Sequence, residues 1–333
     1  MRIGLADLDV FAYIDADSAE AKAFTTYLGY VRAFDDLMTN ASGILDFAHI
    51  RKQMDPAGLH RLRSRPYRSN AQVVSSLLIN AWLHELHLHL VDSDNVGIVR
   101  VANHAAAVYA YYATSRAASA WHFALTSTAP QTHAGLLLAI DRLIATAPSM
   151  YPCPWSLSCT RLFPSPVYQG FLAPPQPCSN LSRVAPPIGL AAKCLKTTRQ
   201  KQVTQLIEET KRQRKIARAP SGERERKDGG LHRTTIFDFL WRSRARSNYG
   251  DPAMFYMGAI VDDDVAGYLS GLRNITAGTS FIFETFLAHR APDVLTEAAT
   301  HFISRDRSGL TDVVLVPRLA ELGIVARPRR RRR

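Results

Sequence analysis

The sequence predicts a mainly α-helical protein, an up-and-down bundle of helices interrupted by one irregular insert. Three observations predict it. Apolar residues recur at three- and four-residue steps in segments along most of the chain. Residues 100–126 are dense in alanine, the best helix former, and contain neither glycine nor proline. Strand signals are few: only "HLHLVD" (87–92) and "DVVLVP" (312–317) alternate, and two short pieces do not make a sheet.

Between Ser18 and Met38, the residues Phe24, Tyr27, Leu28, Val31, Phe34, Leu37 and Met38 keep helical spacing, with Asp17 and Glu20 as a capping arrangement. Residues 57–70 read as a basic, proline-broken connection. A second helix starts at Ser69 or Asn70 and runs through "AQVVSSLLINAWLHEL". The alanine-dense helix belongs at the centre, because small side chains let neighbouring helices approach closely. "THAGLLLAIDRLIATA" (132–147) follows a short turn at Pro130 and is expected to be its antiparallel partner.

Residues 151–188 then hold nine of the 18 prolines, which predicts an extended insert without helices. A short basic helix over 200–219 and a flexible link over 220–230 should follow. Thr235 with Asp238 caps a helix ending near Gly250 and Pro252. Asp262 to Asp264 open a long helix that reaches about Arg290, and "DVLTEAATHFI" (293–303) closes the pattern. The chain thus divides into an N-terminal helical region (1–95), a bundle (96–150 and 233–291), a proline-rich then basic insert (151–232), a C-terminal helical region (292–326) and a basic tail (327–333). It carries no internal repeat.

At 333 residues with 47% hydrophobic and 21% charged residues, the composition is that of a globular protein. No apolar run approaches the ~20 residues of a membrane span. The first residues carry aspartates inside their apolar stretch, unlike a secretory signal, so a cytoplasmic location is expected. Cys153, Cys159, Cys178 and Cys194 match no zinc spacing and are expected to be reduced; neither a metal nor a cofactor is called for. The net charge of +12 is concentrated: six arginines lie in the tail, and residues 193–233 carry 13 basic against 5 acidic side chains. The remainder is close to neutral. Such blocks suit contact with a polyanion, or serve only as solvated segments.

"YYATSRAASAWHFALTSTAPQTHAGLLLAI" (111–140) resembles the central helical pair of HEPN-superfamily proteins, many of which carry a YYA-x-x-x-A-A-x-A helix and then a Thr-His-x-Gly-Leu helix start. "RSRARSNYGD" (242–251) is similar to their closing Arg-x-x-Ala-Asp-Tyr segment, and YaaC-like bacterial proteins share the pattern more loosely. The resemblance covers about residues 96–150 and 233–291, and it makes Tyr111, Tyr112, His133 and Tyr249 structural motif residues. It implies a helical bundle, often a homodimer, acting in RNA cleavage or beside a nucleotidyltransferase partner. Catalytic members use an Arg-x4–6-His motif.

Arg116 and His122 have that spacing. On a continuous helix, however, six positions turn through about 600°, so their directions differ by about 120° over about 9 Å of rise. Convergence on one phosphate, which metal-free cleavage requires, is poorly served. Where the family motif aligns better, Arg242, Arg244 and Arg246 are followed by Tyr249 in place of a histidine. The expectation is therefore a non-catalytic protein binding RNA, another nucleic acid or a protein partner. Its phosphate contacts would be Arg242, Arg244, Arg246, Arg212, Arg214, Lys215, Arg329 and Arg330. A HEPN endoribonuclease of toxin or defence type and a structural interaction module are the alternatives. His104, Tyr111, Ser115 and His122 form a polar stripe on the alanine-rich helix. His84, His87 and His89 do not share one helical face as metal ligands would.

Overall fold

The computed structural model describes residues 16–64, 67–170, 177–250 and 252–325. Among them are fourteen helices: α1 (Ala19–Asp36), α2 (Phe47–Gln53), α3 (Pro56–Arg63), α4 (Ala71–His89), α5 (Val96–Thr126), α6 (His133–Thr146), α7 (Ile188–Arg214), α8 (Glu223–Gly229), α9 (Ile236–Ala245), α10 (Ala253–Met257), α11 (Asp262–Arg290), α12 (Pro292–Arg305), α13 (Leu310–Val314) and α14 (Val316–Glu321). No helix among the described residues is long and apolar enough to cross a membrane.

Side-chain caps place the main helix starts. Asn70 accepts from Gln72 N and Val73 N at α4, Asn95 from Ile98 N at α5, and Thr132 from Gly135 N at α6. Thr235 and Asp238 form a reciprocal capping box on α9. At α1 the cap is Ser18, which accepts from Ala21 N, while Asp17 pairs with Lys22 instead.

Helix α5 runs through the middle. Its buried Ala106, Ala110, Ala113, Ala117, Ala120 and Ala124 leave room for α4, α9 and α11 to close around it. Contacts fix the directions. Ser69, just before α4, bonds Phe123 O near the far end of α5, so α4 and α5 are antiparallel. Asn103 bonds Val265 O while Trp121 stacks near Phe286, so α11 runs along α5 in the same sense. Helix α9 runs oppositely, with Arg244 at Tyr112 and Ser247 at His104. Helix α1 lies on α11, where a Cβ at Gly271 would sit 2.5 Å from Val31 Cγ1; only glycine permits that approach.

The α5–α6 pair departs from expectation. His133 at the start of α6 meets Tyr111, midway along α5, whereas Leu143 and Thr146 at its end lie by Trp121 and Leu125. Helix α6 therefore follows the direction of α5, because residues 127–132 track back along α5 before α6 begins. The strict up-and-down alternation is broken there.

The regions read as irregular contain more structure than their composition suggests. "HLHLVD" completes α4 and a turn, and "DVVLVP" spans α13 and α14, so neither is a strand. The strands lie in the proline-rich insert: β1 (Ser158–Arg161), β2 (Val167–Gln169) and β3 (Cys178–Ser179) form one antiparallel sheet. Trp155 anchors the insert to the bundle, donating from Nε1 to Thr279 Oγ1 at 2.9 Å. Part of the basic connection is α3, started by Asp55 as cap and Pro56 in the first turn. Helix α7 begins twelve residues before the expected start, since Ala191, Ala192, Cys194, Leu195, Thr198 and Arg199 already supply a buried face. The stretch expected to be a flexible link holds α8, tied down by buried Asp228.

Candidate nucleic-acid interface

Along α7, Thr198, Lys201, Gln202 and Gln205 recur at helical spacing and present one face. Across from it, the capping box sets α9 so that Ile236, Phe237, Phe239 and Leu240 are buried, leaving Trp241, Arg242 and Ala245 toward α7. Beyond Ala245 the backbone widens into a π-helical turn over Arg246–Gly250, a distortion frequent at functional sites. These elements and Tyr27 of α1 enclose a cavity of about 510 Å³. Tyr27 and Thr198, each 1% exposed, form its floor.

The cavity is cationic. Arg242 lies over the Tyr27 ring at 5.1 Å and Arg246 over the same ring at 5.2 Å. Arg242 Nη1 donates to Thr198 Oγ1 at 3.0 Å and Thr197 Oγ1 at 3.3 Å, which holds the guanidinium in place. Desolvation, reinforced by the charges of Arg242 and Arg246, brings Lys201 down to about 8. Among the described residues no carboxylate lines the cavity. The nearest acid on α9, Asp238, is committed to Thr235 N, Gln202 Nε2 and His232 Nε2 at 2.8–2.9 Å. Burial opposes charging of His232, but its bond to Asp238 and that carboxylate's field leave it raised.

Arg244 faces the other way. Its Nη2 donates to the Tyr112 hydroxyl at 2.8 Å, and its guanidinium lies 5.3 Å from Tyr112, 5.9 Å from Tyr111 and 5.6 Å from Tyr249. Tyr111 Oη and His133 Nδ1 are 2.7 Å apart. Burial pushes Tyr111 up and, together with Arg244 and Arg116, pushes His133 down, so both are neutral at pH 7. Tyr249, 77% exposed, touches both neighbourhoods: it lines the cavity and stands beside Arg244. The four motif residues Tyr111, Tyr112, His133 and Tyr249 thus gather around Arg244, although more than a hundred residues separate the two ends of the set in sequence.

Arg116 and His122 fare differently. His122 Nδ1 lies 3.0 Å from Thr128 O, bracing the loop after α5, while exposed Arg116 lies near His84 and His133. The two residues do not build a common site. Ser115 donates to its own helix at Tyr112 O, so the polar stripe is divided among local roles. His84 stacks on Tyr112 and His87 on Tyr109. His89 is brought down to about 4 by burial, then by Arg273 and Arg318. Among the described residues no three His, Cys, Asp or Glu side chains converge as metal ligands.

Arg212, Arg214 and Lys215 are exposed at the end of α7, about 16 Å or more along the helix from Lys201. Arg329 and Arg330 lie outside the described residues. Sequence reasoning missed Lys201, Thr198 and Tyr27. Lys201 is one of 13 basic residues in its segment, and Tyr27 has the spacing of a core aromatic; only their juxtaposition with Arg242 distinguishes them. Compared with models of protein families, with curated proteins and with solved structures, the chain matches none.

Proposed function

We propose that this chain binds single-stranded nucleic acid, RNA by expectation, without catalysing a reaction on it, as a HEPN-like helical bundle. The observation that carries the reading is the cavity in which Lys201, Arg242 and Arg246 stand beside exposed Tyr249 and half-buried Trp241, with no carboxylate among its described lining residues. Cations that meet phosphate next to aromatic faces that stack bases are the two components of single-strand binding. The exposed basic end of α7 extends the positive surface beyond the cavity.

The test is fluorescence anisotropy with a labelled oligouridylate. Each charge-assisted contact contributes roughly 1.5–3 kcal/mol, so Lys201→Gln with Arg242→Gln should weaken binding by about 100-fold or more. The slope of log affinity against log salt should become shallower by about 0.7 for each phosphate the protein no longer neutralises. Unchanged affinity in the double variant refutes this interface. No binding by the wild-type protein at physiological salt favours the structural interaction module. Deleting residues 193–233 would remove α7 with its buried face, so substitutions are the usable probe.

The ribonuclease reading has support at one place, and it is not Arg116 with His122. A neutral, exposed His133 beside Arg244 places a base near a cation. Cleavage of RNA in EDTA that disappears in His133→Ala would establish it.

A further inference from the structure

Resting on the strand-binding reading, we propose that the α7–α9 cavity takes a phosphate monoester attached to a nucleoside, either the phosphorylated end of a strand or a free nucleoside monophosphate, in preference to an internal diester. Three observations lead there. Buried Tyr27 and Thr198 form the floor of the cavity, while exposed Tyr249 stands at its rim. A strand end can bring one phosphate down to that floor, whereas an internal diester must bring the chain down and back up.

Charge makes the same selection. A diester carries one negative charge and two non-bridging oxygens, while a monoester carries close to two charges at pH 7 and three acceptor oxygens. Lys201 and Arg242 alone match that dianion, and the field of Arg246 adds to theirs. Donors are also sufficient. The ammonium has three, and Arg242 uses Nη1 on Thr197 and Thr198, which leaves Nη2 for an incoming oxygen. Gln202 is committed on both sides, donating to Asp238 and accepting from Thr234, so Gln205 is the remaining amide. Finally, exposed Tyr249 at the rim offers a face for the base next to the phosphate.

Competition binding on the full chain tests this. The ligands are oligouridylates ending in a 5′-phosphate, a 3′-phosphate or hydroxyls only, with UMP and inorganic phosphate as free competitors. One phosphorylated end should bind at least about tenfold more tightly than the hydroxyl-ended strand, with UMP competing better than phosphate. The preference should rise from pH 5 to pH 7 as the monoester takes its second charge, whose pKa is about 6. It should fall as pH passes about 8, where Lys201 loses its proton with Arg242, Arg246 and Tyr27 as its neighbours. Lys201→Met should bring the phosphorylated strand down to the hydroxyl-ended level, while Arg212→Gln lowers both and leaves the preference. Equal affinity for all three strands overturns the monoester inference and keeps the strand-binding reading. UMP binding without strand binding does the reverse. Binding of no ligand removes both.

Discussion

Replacing Arg318 by methionine should cost about 3–5 kcal/mol of folding stability, the penalty of breaking a fully buried ion pair. Arg318 of α14 reaches two carboxylates from two other helices. Its Nε donates to Glu284 Oε2 at 2.7 Å and its Nη2 to Glu284 Oε1 at 2.8 Å; Nη2 also meets Glu85 Oε2 at 2.7 Å, and Nη1 bonds Glu85 Oε1. Trp82 Nε1 donates to Glu284 Oε1 at 2.7 Å. All three charged side chains are 0% exposed. One guanidinium serves two carboxylates, so its removal leaves two buried acids with no cation.

The pH dependence has a definite sign. Burial holds Glu85 above its ordinary value of 4.5 even with Arg318 present. A carboxyl whose folded-state pKa is raised binds protons more readily folded than unfolded. Stability is therefore highest below the unfolded value and falls away as pH rises through the folded one. In Arg318→Met the rise is larger, so urea unfolding should show the deficit shrinking as the buffer goes from pH 7 toward pH 4.5. Replacing the whole set, Glu85→Leu with Glu284→Met and Arg318→Met, should recover most of the stability, since well-packed apolar groups can substitute for a buried ionic cluster. Arg318→Met as stable as wild type at pH 7 would mean that the triad is not a structural clamp.

Arg199→Met should produce the second large destabilisation, also about 3–5 kcal/mol. Arg199 Nε and Nη2 bond Asp228 Oδ1 and its carbonyl oxygen, and Nη1 bonds His232 O, each at 2.6 Å. Asp228 Oδ2 accepts from Leu162 N at 2.7 Å, beside β1. This pair joins the insert, α7, α8 and the approach to α9. Breaking it should lower amide-exchange protection at Leu162 and around 223–234 more than in α4 or α5. Because Lys201 is two residues from Arg199, oligonucleotide affinity should fall with it. A uniform drop in protection across the chain would contradict a local tie.

How much was legible follows from the kind of signal each feature leaves. Helices α1, α4, α5 and α9 have apolar faces and recognisable caps, α11 has an apolar face behind an acidic first turn, and periodicity reports a buried face wherever its partner lies. Helix α8 is charged over most of its length, so nothing periodic marks it; buried Asp228 and Glu223 hold it down. The strands are two to four residues long, too short for alternation to register. The direction of α6 differs from expectation because a six-residue connection can either turn or run extended, and local sequence does not choose between them.

The sequence by itself determined the helical class and the central position of the alanine-rich helix. These depend on propensity, periodicity and capping, which act over a few residues. Tertiary structure alone decided which charges matter. Arg318 and Arg199 are buried, Arg212 stays in solvent, and Lys201 joins Arg242 and Arg246 in one cavity. A charge takes its effect from desolvation and from neighbours within a few ångströms, and those neighbours come from other helices.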